Sequence, residues 1–237
     1  MSDPLRQPPP LGHNEEKPLP PLVVLIPPLL VPSAIMWPLG WRLKRAGRRT
    51  VLFRYRSWAR DIPENGRRLA IFLQGLEEDE IDAVAFSLGA ILLRWATNHH
   101  DIPRLRRVVM IGPPNRGAHM ADWLSRRLGP LYSLIWGRAA LQLRRGGRGL
   151  AERAGQLDPG TDLGVIAGGT GKGRGYNPLI PGDNDMTVAV AETILPGMLD
   201  FTVLRRPHNM LPISARTADL AIRFLESGKF KTRQKTP

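Results

Sequence analysis

The chain of 237 residues contains no cysteine. This absence excludes disulfide bonds, thiolate nucleophiles and cysteine-ligated metal sites, and nothing indicates an oxidising compartment. Long apolar runs are also missing, because the stretch PLVVLIPPLLVPSAIMW holds four prolines and is shorter than the ~20 residues of a membrane-spanning helix. The polar, Pro-rich start lacks the basic-then-apolar order of a secretory signal. We therefore expect a cytoplasmic protein.

Lysine and acidic residues are scarce beside arginine. The chain has 34 Lys and Arg against 21 Asp and Glu, which gives a formal net charge of +13. The basic residues are scattered in pairs such as Arg48-Arg49 and Arg126-Arg127, without the interleaved aromatics of a nucleic-acid module. We expect no nucleic-acid partner and interpret the charge as a solvated surface, with peripheral attraction to anionic membranes as the main alternative.

Three regions follow from composition: a disordered Pro-rich arm over 1–20, one domain over 21–228 and a polar tail over 229–237. Within the domain, apolar runs alternate with helical patterns, which predicts an α/β fold with a mostly parallel sheet and helices on both faces. Helices are expected from Ser33 to about Ala46, after an Asp61 capping box, from Leu88 to about Asn98 and after Ser214. Strands are expected at 23–26, 50–55, 83–86, 107–111, 163–167, 187–190 and 201–204.

Residues 118–160 interrupt this alternation. Their pattern predicts two or three short amphipathic helices, with apolar side chains that have no obvious place in the sheet layers. We interpret the segment as a helical lid insertion.

One hydroxyl stands at a junction between a strand and a helix in the stretch AVAFSLGAILLRW, residues 83–95. Ser87 ends the apolar run, and small residues, Ala85 and Gly89, flank it at −2 and +2. A sharp strand-to-helix turn needs such small neighbours, and it presents its serine at the carboxyl edge of the sheet. A serine capping a helix in a tight loop is the structural alternative.

A serine nucleophile needs a base, and the base needs an orienting carboxylate. Among the five histidines (His13, His99, His100, His119 and His208) only His208 follows a predicted strand directly at its carboxyl end. The segment PGDNDMTV supplies two candidate carboxylates, Asp183 and Asp185. Its sequence also favours a turn, so the structural alternative for either aspartate is a turn residue. The chain order serine, aspartate, histidine is that of one known arrangement of such triads.

The Gly-rich segment GGTGKGRG, residues 168–175, is a second candidate site. It matches neither the P-loop nor the dinucleotide spacing, and Tyr176-Asn-Pro178 prevents the following helix that a phosphate cradle needs. We interpret it as a flexible loop.

Together these segments resemble the α/β-hydrolase superfamily, and within it the small bacterial lipases and esterases. AVAFSLGA is similar to the nucleophile elbow, RVVMIGPPNRGAHMADWL to the strand and loop before the lid, and GDNDMTVAVAETILPG to the segment carrying the acid. That resemblance places the acid on Asp185. Pro27-Pro28 stands where the family usually has His-Gly in its oxyanion loop.

The resemblance implies a carboxylic ester hydrolase in which Ser87 attacks, His208 transfers the proton and Asp185 orients it. The backbone N–H groups of Leu29 and Leu88 would bind the oxyanion, and no metal or cofactor is implied. The substrate would be a small-molecule or lipid ester. Two alternatives stay open: a catalytically impaired pseudo-hydrolase acting as a basic binding or scaffold protein, and an acyltransferase with the same triad.

Overall fold

The computed structural model describes residues 20–147 and 149–231. Within these ranges, six parallel strands form one sheet in the order β2-β1-β3-β4-β5-β6. They are β1 (Leu22–Ile26), β2 (Thr50–Leu52), β3 (Glu80–Phe86), β4 (Arg104–Ile111), β5 (Asp162–Gly169) and β6 (Asp200–Arg205). Most of the predicted arm and tail, residues 1–19 and 232–237, lies outside the described residues.

Helices cover both faces of this sheet, as the apolar strands predict. α1 (Trp37–Arg45) and α7 (Ala215–Ser227) pack on one face, and α2 (Ile62–Gln74) and α3 (Leu88–His99) pack on the other. Strand side chains alternate between the two faces. In β1, Val24 and Ile26 pack in the core beneath α2 and α3, and Val23 and Leu25 pack in the core beneath α1 and α7. None of the helices in the described ranges is long and apolar enough to cross a membrane.

The helix starts show which local signals decided the structure. The Asp61 side chain accepts a hydrogen bond from the Glu64 N–H at 3.0 Å, so α2 begins as the capping pattern predicts. The predicted start at Ser33 is wrong for an α-helix: Ser33–Met36 is a 3-10 turn and α1 begins at Trp37. Pro38 has no N–H with which to bond the carbonyl four residues earlier, and this prevents a regular α-helix across that point.

The predicted strand at 187–190 is also wrong. These residues form a loop that runs into a 3-10 turn at Val190–Thr193. The N–H groups of Thr187 and Val188 donate to one Asp185 oxygen, at 3.0 and 2.8 Å, and so are not available to a neighbouring strand. A side chain has replaced the sheet as the hydrogen-bond partner.

The described residues of the insertion, 118–147 and 149–160, contain three short helices, α4 (His119–Leu128), α5 (Pro130–Trp136) and α6 (Arg138–Leu141). Its inner side is part of the core, where Tyr132, Ala139 and Ala151 are buried. Buried Arg94 of α3 attaches the insertion to the rest of the domain, because its Nε–H donates to the Gly155 carbonyl at 2.6 Å. The helical content is as predicted, and a lid function stays a prediction.

Candidate active site

Ser87 occupies a strained turn between β3 and α3. Its φ of 53° and ψ of −120° lie in a region that residues with a side chain rarely adopt. A Cβ on Gly89 would lie 2.5 Å from the Ile26 carbonyl oxygen and 2.8 Å from that of Pro27, so only glycine fits there. The close approach of the chain at the end of β1 therefore requires a glycine two residues after Ser87. The turn holds the Ser87 hydroxyl at the carboxyl edge of the sheet.

Three side chains from distant parts of the chain form one hydrogen-bonded series. His208 Nε2 lies 3.0 Å from Ser87 Oγ, and His208 Nδ1 lies 2.6 Å from Asp185 Oδ2. Asp185 is fully buried, and Ser87 and His208 are 8 % and 6 % exposed. Because a carboxylate oxygen can only accept a hydrogen bond, Nδ1 carries the proton, and Nε2 is left free to accept the proton of Ser87.

The surroundings fix the His208 ring as well. Its backbone N–H donates to the Asp185 carbonyl at 2.8 Å. The ring lies 4.9 Å from the Phe86 ring, centroid to centroid. On another side it approaches Gly112, where an added Cβ would lie 3.0 Å from the ring. The imidazole therefore has little freedom to turn away from Ser87.

Among the described residues, Asp183 forms no hydrogen bond or ion pair with His208. Its carboxylate accepts hydrogen bonds from the Thr170 N–H and hydroxyl, at 2.7 and 3.0 Å, and from the Gly171 N–H at 2.9 Å. These hydrogen bonds hold the Gly-rich segment in position. The backbone N–H groups with which the segment would bind a phosphate already donate to the Asp183 carboxylate. Of the two candidate acids, Asp185 is the one beside the histidine.

A different set of contacts shapes the loop after β1. The Tyr55 hydroxyl lies 3.0 Å from the Pro27 carbonyl oxygen and 3.1 Å from that of Pro28, and donates to this pair. The Leu30 N–H donates to Ser57 Oγ at 2.9 Å, and Leu30 has a φ of 59°. The left-handed residue of this loop is thus Leu30, and both prolines keep the negative φ that their rings require.

The peptide between Pro28 and Leu29 is planar and trans, since the described chain has no cis peptide bonds. In such a unit the C=O and the N–H point in opposite directions. Tyr55 binds the C=O of Pro28, so the N–H of Leu29 points away from Tyr55. Within residues 20–147 and 149–231, no group accepts a hydrogen bond from the N–H of Leu29 or of Leu88. The Leu88 N–H belongs to the first turn of α3, where such donors lack helical partners.

Solved structures with a similar overall fold include the mature Bacillus licheniformis lipase BlEst2, with a TM-score of 0.69, 18% identity and 96% of each chain covered. The Legionella pneumophila phospholipase PlaB has a TM-score of 0.66 at 16% identity, over 89% of this chain and 60% of that one. A metagenomic carboxyl esterase has a TM-score of 0.62 at 20% identity, over 87% of this chain and 69% of that one. This chain has the α/β-hydrolase fold. Scans against protein-family models and curated sequences found no match.

Within this α/β-hydrolase fold, sequence reasoning missed Tyr55 and Ser57. Both follow β2 in TVLFRYRSWAR, and nothing local distinguishes them from other residues that leave a strand. Their contacts with the loop after β1 span 27 and 28 residues of chain. One signal was present: two consecutive prolines offer two carbonyls and no N–H, so the loop needs outside donors.

No group of three or more histidine, aspartate or glutamate side chains that could hold a metal ion occurs in the described part of the chain.

Proposed function

We propose that this α/β-hydrolase hydrolyses carboxylic esters through an acyl-enzyme. His208 Nε2 takes the Ser87 proton as Oγ attacks the acyl carbon, giving a tetrahedral oxyanion. The protonated His208 then returns the proton to the leaving alkoxide as the carbon–oxygen bond breaks. Water repeats the sequence on the acyl-enzyme and releases the acid, and Asp185 stabilises the imidazolium each time.

The N–H groups of Leu88 and Leu29 are the proposed oxyanion donors. The Leu88 N–H is the first of α3, where the helix dipole adds positive potential. The Leu29 N–H is oriented through Tyr55, which binds the carbonyl of the same peptide unit. We therefore assign Tyr55 as a positioning residue and not as a catalytic one. Burial raises the pKa of Tyr55 above its ordinary value, so the phenol remains a donor at any pH where the protein would work.

An apolar acyl chain suits the surface beside this loop. A cavity of about 470 Å³ is lined by Pro27, Pro28 and Trp58, and a second of about 660 Å³ is lined by Trp58 and by Leu131 and Leu134 of α5. The two cavities share Trp58. Ser87 lines neither cavity, and the Pro27–Pro28 loop that lines the first one packs against Gly89, two residues after Ser87. The apolar side chains along these cavities support an ester with an apolar acyl group, with α5 as the part of the lid that touches it.

One observation carries the proposal: the hydrogen-bonded series Ser87–His208–Asp185 at the carboxyl edge of the sheet. The test is a panel of p-nitrophenyl esters, from acetate to palmitate, on wild type and Ser87→Ala, with labelling by a fluorophosphonate. We expect the wild type to hydrolyse esters and to take the label at Ser87. The Ser87→Ala variant should do neither. A folded wild type that neither turns over any ester nor takes the label would support the pseudo-hydrolase alternative. Product esters formed from an added alcohol in preference to the free acid would support acyl transfer.

A further inference from the structure

The outer side of α1 carries two exposed tryptophans that have no role in the site described above. Trp37 is 62 % exposed and Trp41 is 54 % exposed, while Leu39 and Leu43 of the same helix are buried against the core. Residues spaced by four lie on one side of a helix, so Trp37, Trp41 and Arg45 share a face. Exposing two indoles in water is unfavourable, and large exposed apolar patches mark interaction surfaces. We call this surface the α1 face.

The chain segment that carries the α1 face has charges of one sign. Residues 20–60 include eight arginines and lysines and no aspartate or glutamate. Arg45 and Arg42 place their guanidinium carbons 4.8 and 6.0 Å from the centre of the Trp41 ring. Arg42, Lys44 and Arg45 form no ion pair with any carboxylate in the described ranges. The face therefore presents indoles together with uncompensated positive charge.

This combination matches the interface of an anionic lipid bilayer. Indole rings prefer the headgroup level of a membrane, where an apolar body and a polar N–H are both accommodated. Basic side chains beside them are attracted to anionic headgroups. A nucleic acid would also attract the charge, but the two indoles project from a convex helix, without the groove along which successive bases stack.

We propose that the α1 face attaches this protein peripherally to anionic membranes. α1 would lie parallel to the bilayer surface, with Trp37 and Trp41 at headgroup level and Arg42, Lys44 and Arg45 against lipid phosphates. The chain between β1 and α1 includes Leu29 and Leu30, so this attachment places the loop beside Ser87 near the membrane surface. The inference does not depend on the proposed ester hydrolysis.

The test is cosedimentation of the full-length protein with vesicles of phosphatidylcholine alone and of phosphatidylcholine mixed with phosphatidylglycerol. We expect binding to the anionic vesicles that falls with added salt, because exposed charges are screened over ~8 Å at physiological ionic strength. The Trp37→Ala/Trp41→Ala variant should bind at least about tenfold more weakly than the wild type. The Arg42→Gln/Arg45→Gln variant should bind up to about thirtyfold more weakly, because each basic residue contributes about fivefold to the affinity.

The matched control is Arg67→Gln/Arg68→Gln, which removes two charges from exposed arginines of α2 on the opposite face of the sheet. It should bind like the wild type, and equal melting temperatures would show that all variants are folded. Equal binding to neutral and anionic vesicles, or equal losses in the α1 and α2 variants, would overturn the proposal. So would α1 variants that bind vesicles normally and differ only in oligomeric state, since the face would then join two copies of this chain.

Discussion

Replacing Tyr55 with phenylalanine tests whether the loop after β1 is a working oxyanion site. The change removes one hydroxyl, and with it the hydrogen bonds at 3.0 and 3.1 Å to the carbonyls of Pro27 and Pro28. The ring itself is preserved, including its stacking on Phe53 at 5.2 Å between centroids. The peptide that carries the Leu29 N–H then loses the hydrogen bonds that orient it.

The magnitude follows from the bonds lost. A hydrogen bond contributes a net ~0.5–1.5 kcal/mol, and a buried acceptor left without a partner costs about 1–3 kcal/mol. If the loop loses roughly 1–2 kcal/mol of preference for its present conformation, kcat falls about 5- to 30-fold, since 1.4 kcal/mol is tenfold. The upper limit is the loss of one oxyanion donor, about 10²–10³. KM should change less than about twofold, because the oxyanion exists only in the transition state.

Steady-state kinetics on a soluble p-nitrophenyl ester measure this directly, and Tyr176→Phe is the control that loses the same group from an exposed loop residue. The ratio of wild-type to variant kcat should not vary with pH, because burial raises the Tyr55 pKa and keeps the phenol protonated. Refutation would be an unchanged kcat in a folded Tyr55→Phe protein, or a rise in KM with kcat constant. Either result would leave Tyr55 with a purely structural role.

Five further outcomes are expected. Asp185→Asn should lower kcat by about 10⁴, because its amide must face His208 and enforce the wrong tautomer; Asp183→Asn should keep most of the activity and loosen the Gly-rich loop instead, as proteolysis would detect. Gly89→Ala should lower the melting temperature and the activity together, since the new Cβ meets backbone carbonyls at 2.5 and 2.8 Å. Pro28→Gly should lower or barely alter turnover, and a gain of about a hundredfold would mean that the native loop lacks a working donor. Leu134→Ser should reduce hydrolysis of long-chain esters relative to acetate, and an unchanged chain-length profile would contradict contact between α5 and the acyl group.

The sequence alone determined the parts of this protein that depend on local patterns. Apolar runs bounded by turn residues predicted the strands of a parallel sheet, and the capping pattern at Asp61 located the start of α2. The small residues around Ser87 predicted a tight turn, and the structure shows that the limit on the size of residue 89 comes from the distant Ile26 and Pro27 carbonyls. The strand predicted at 187–190 shows the limit of such patterns, since a buried carboxylate satisfied the backbone donors that would otherwise have paired in a sheet.

Local patterns left Asp183 and Asp185 as equal candidates, the family resemblance favoured Asp185, and the tertiary structure has Asp185 against His208. Asp183 and Asp185 have the same chemistry and similar local sequence, and they differ in which chain segments fold against them: the loop after β5 in one case and His208 in the other. The same holds for Tyr55, which contacts the loop after β1 because β2 and β1 are neighbours in the sheet. Contacts between residues far apart in the chain depend on how strands are ordered, and no pattern of nearby residues encodes that order.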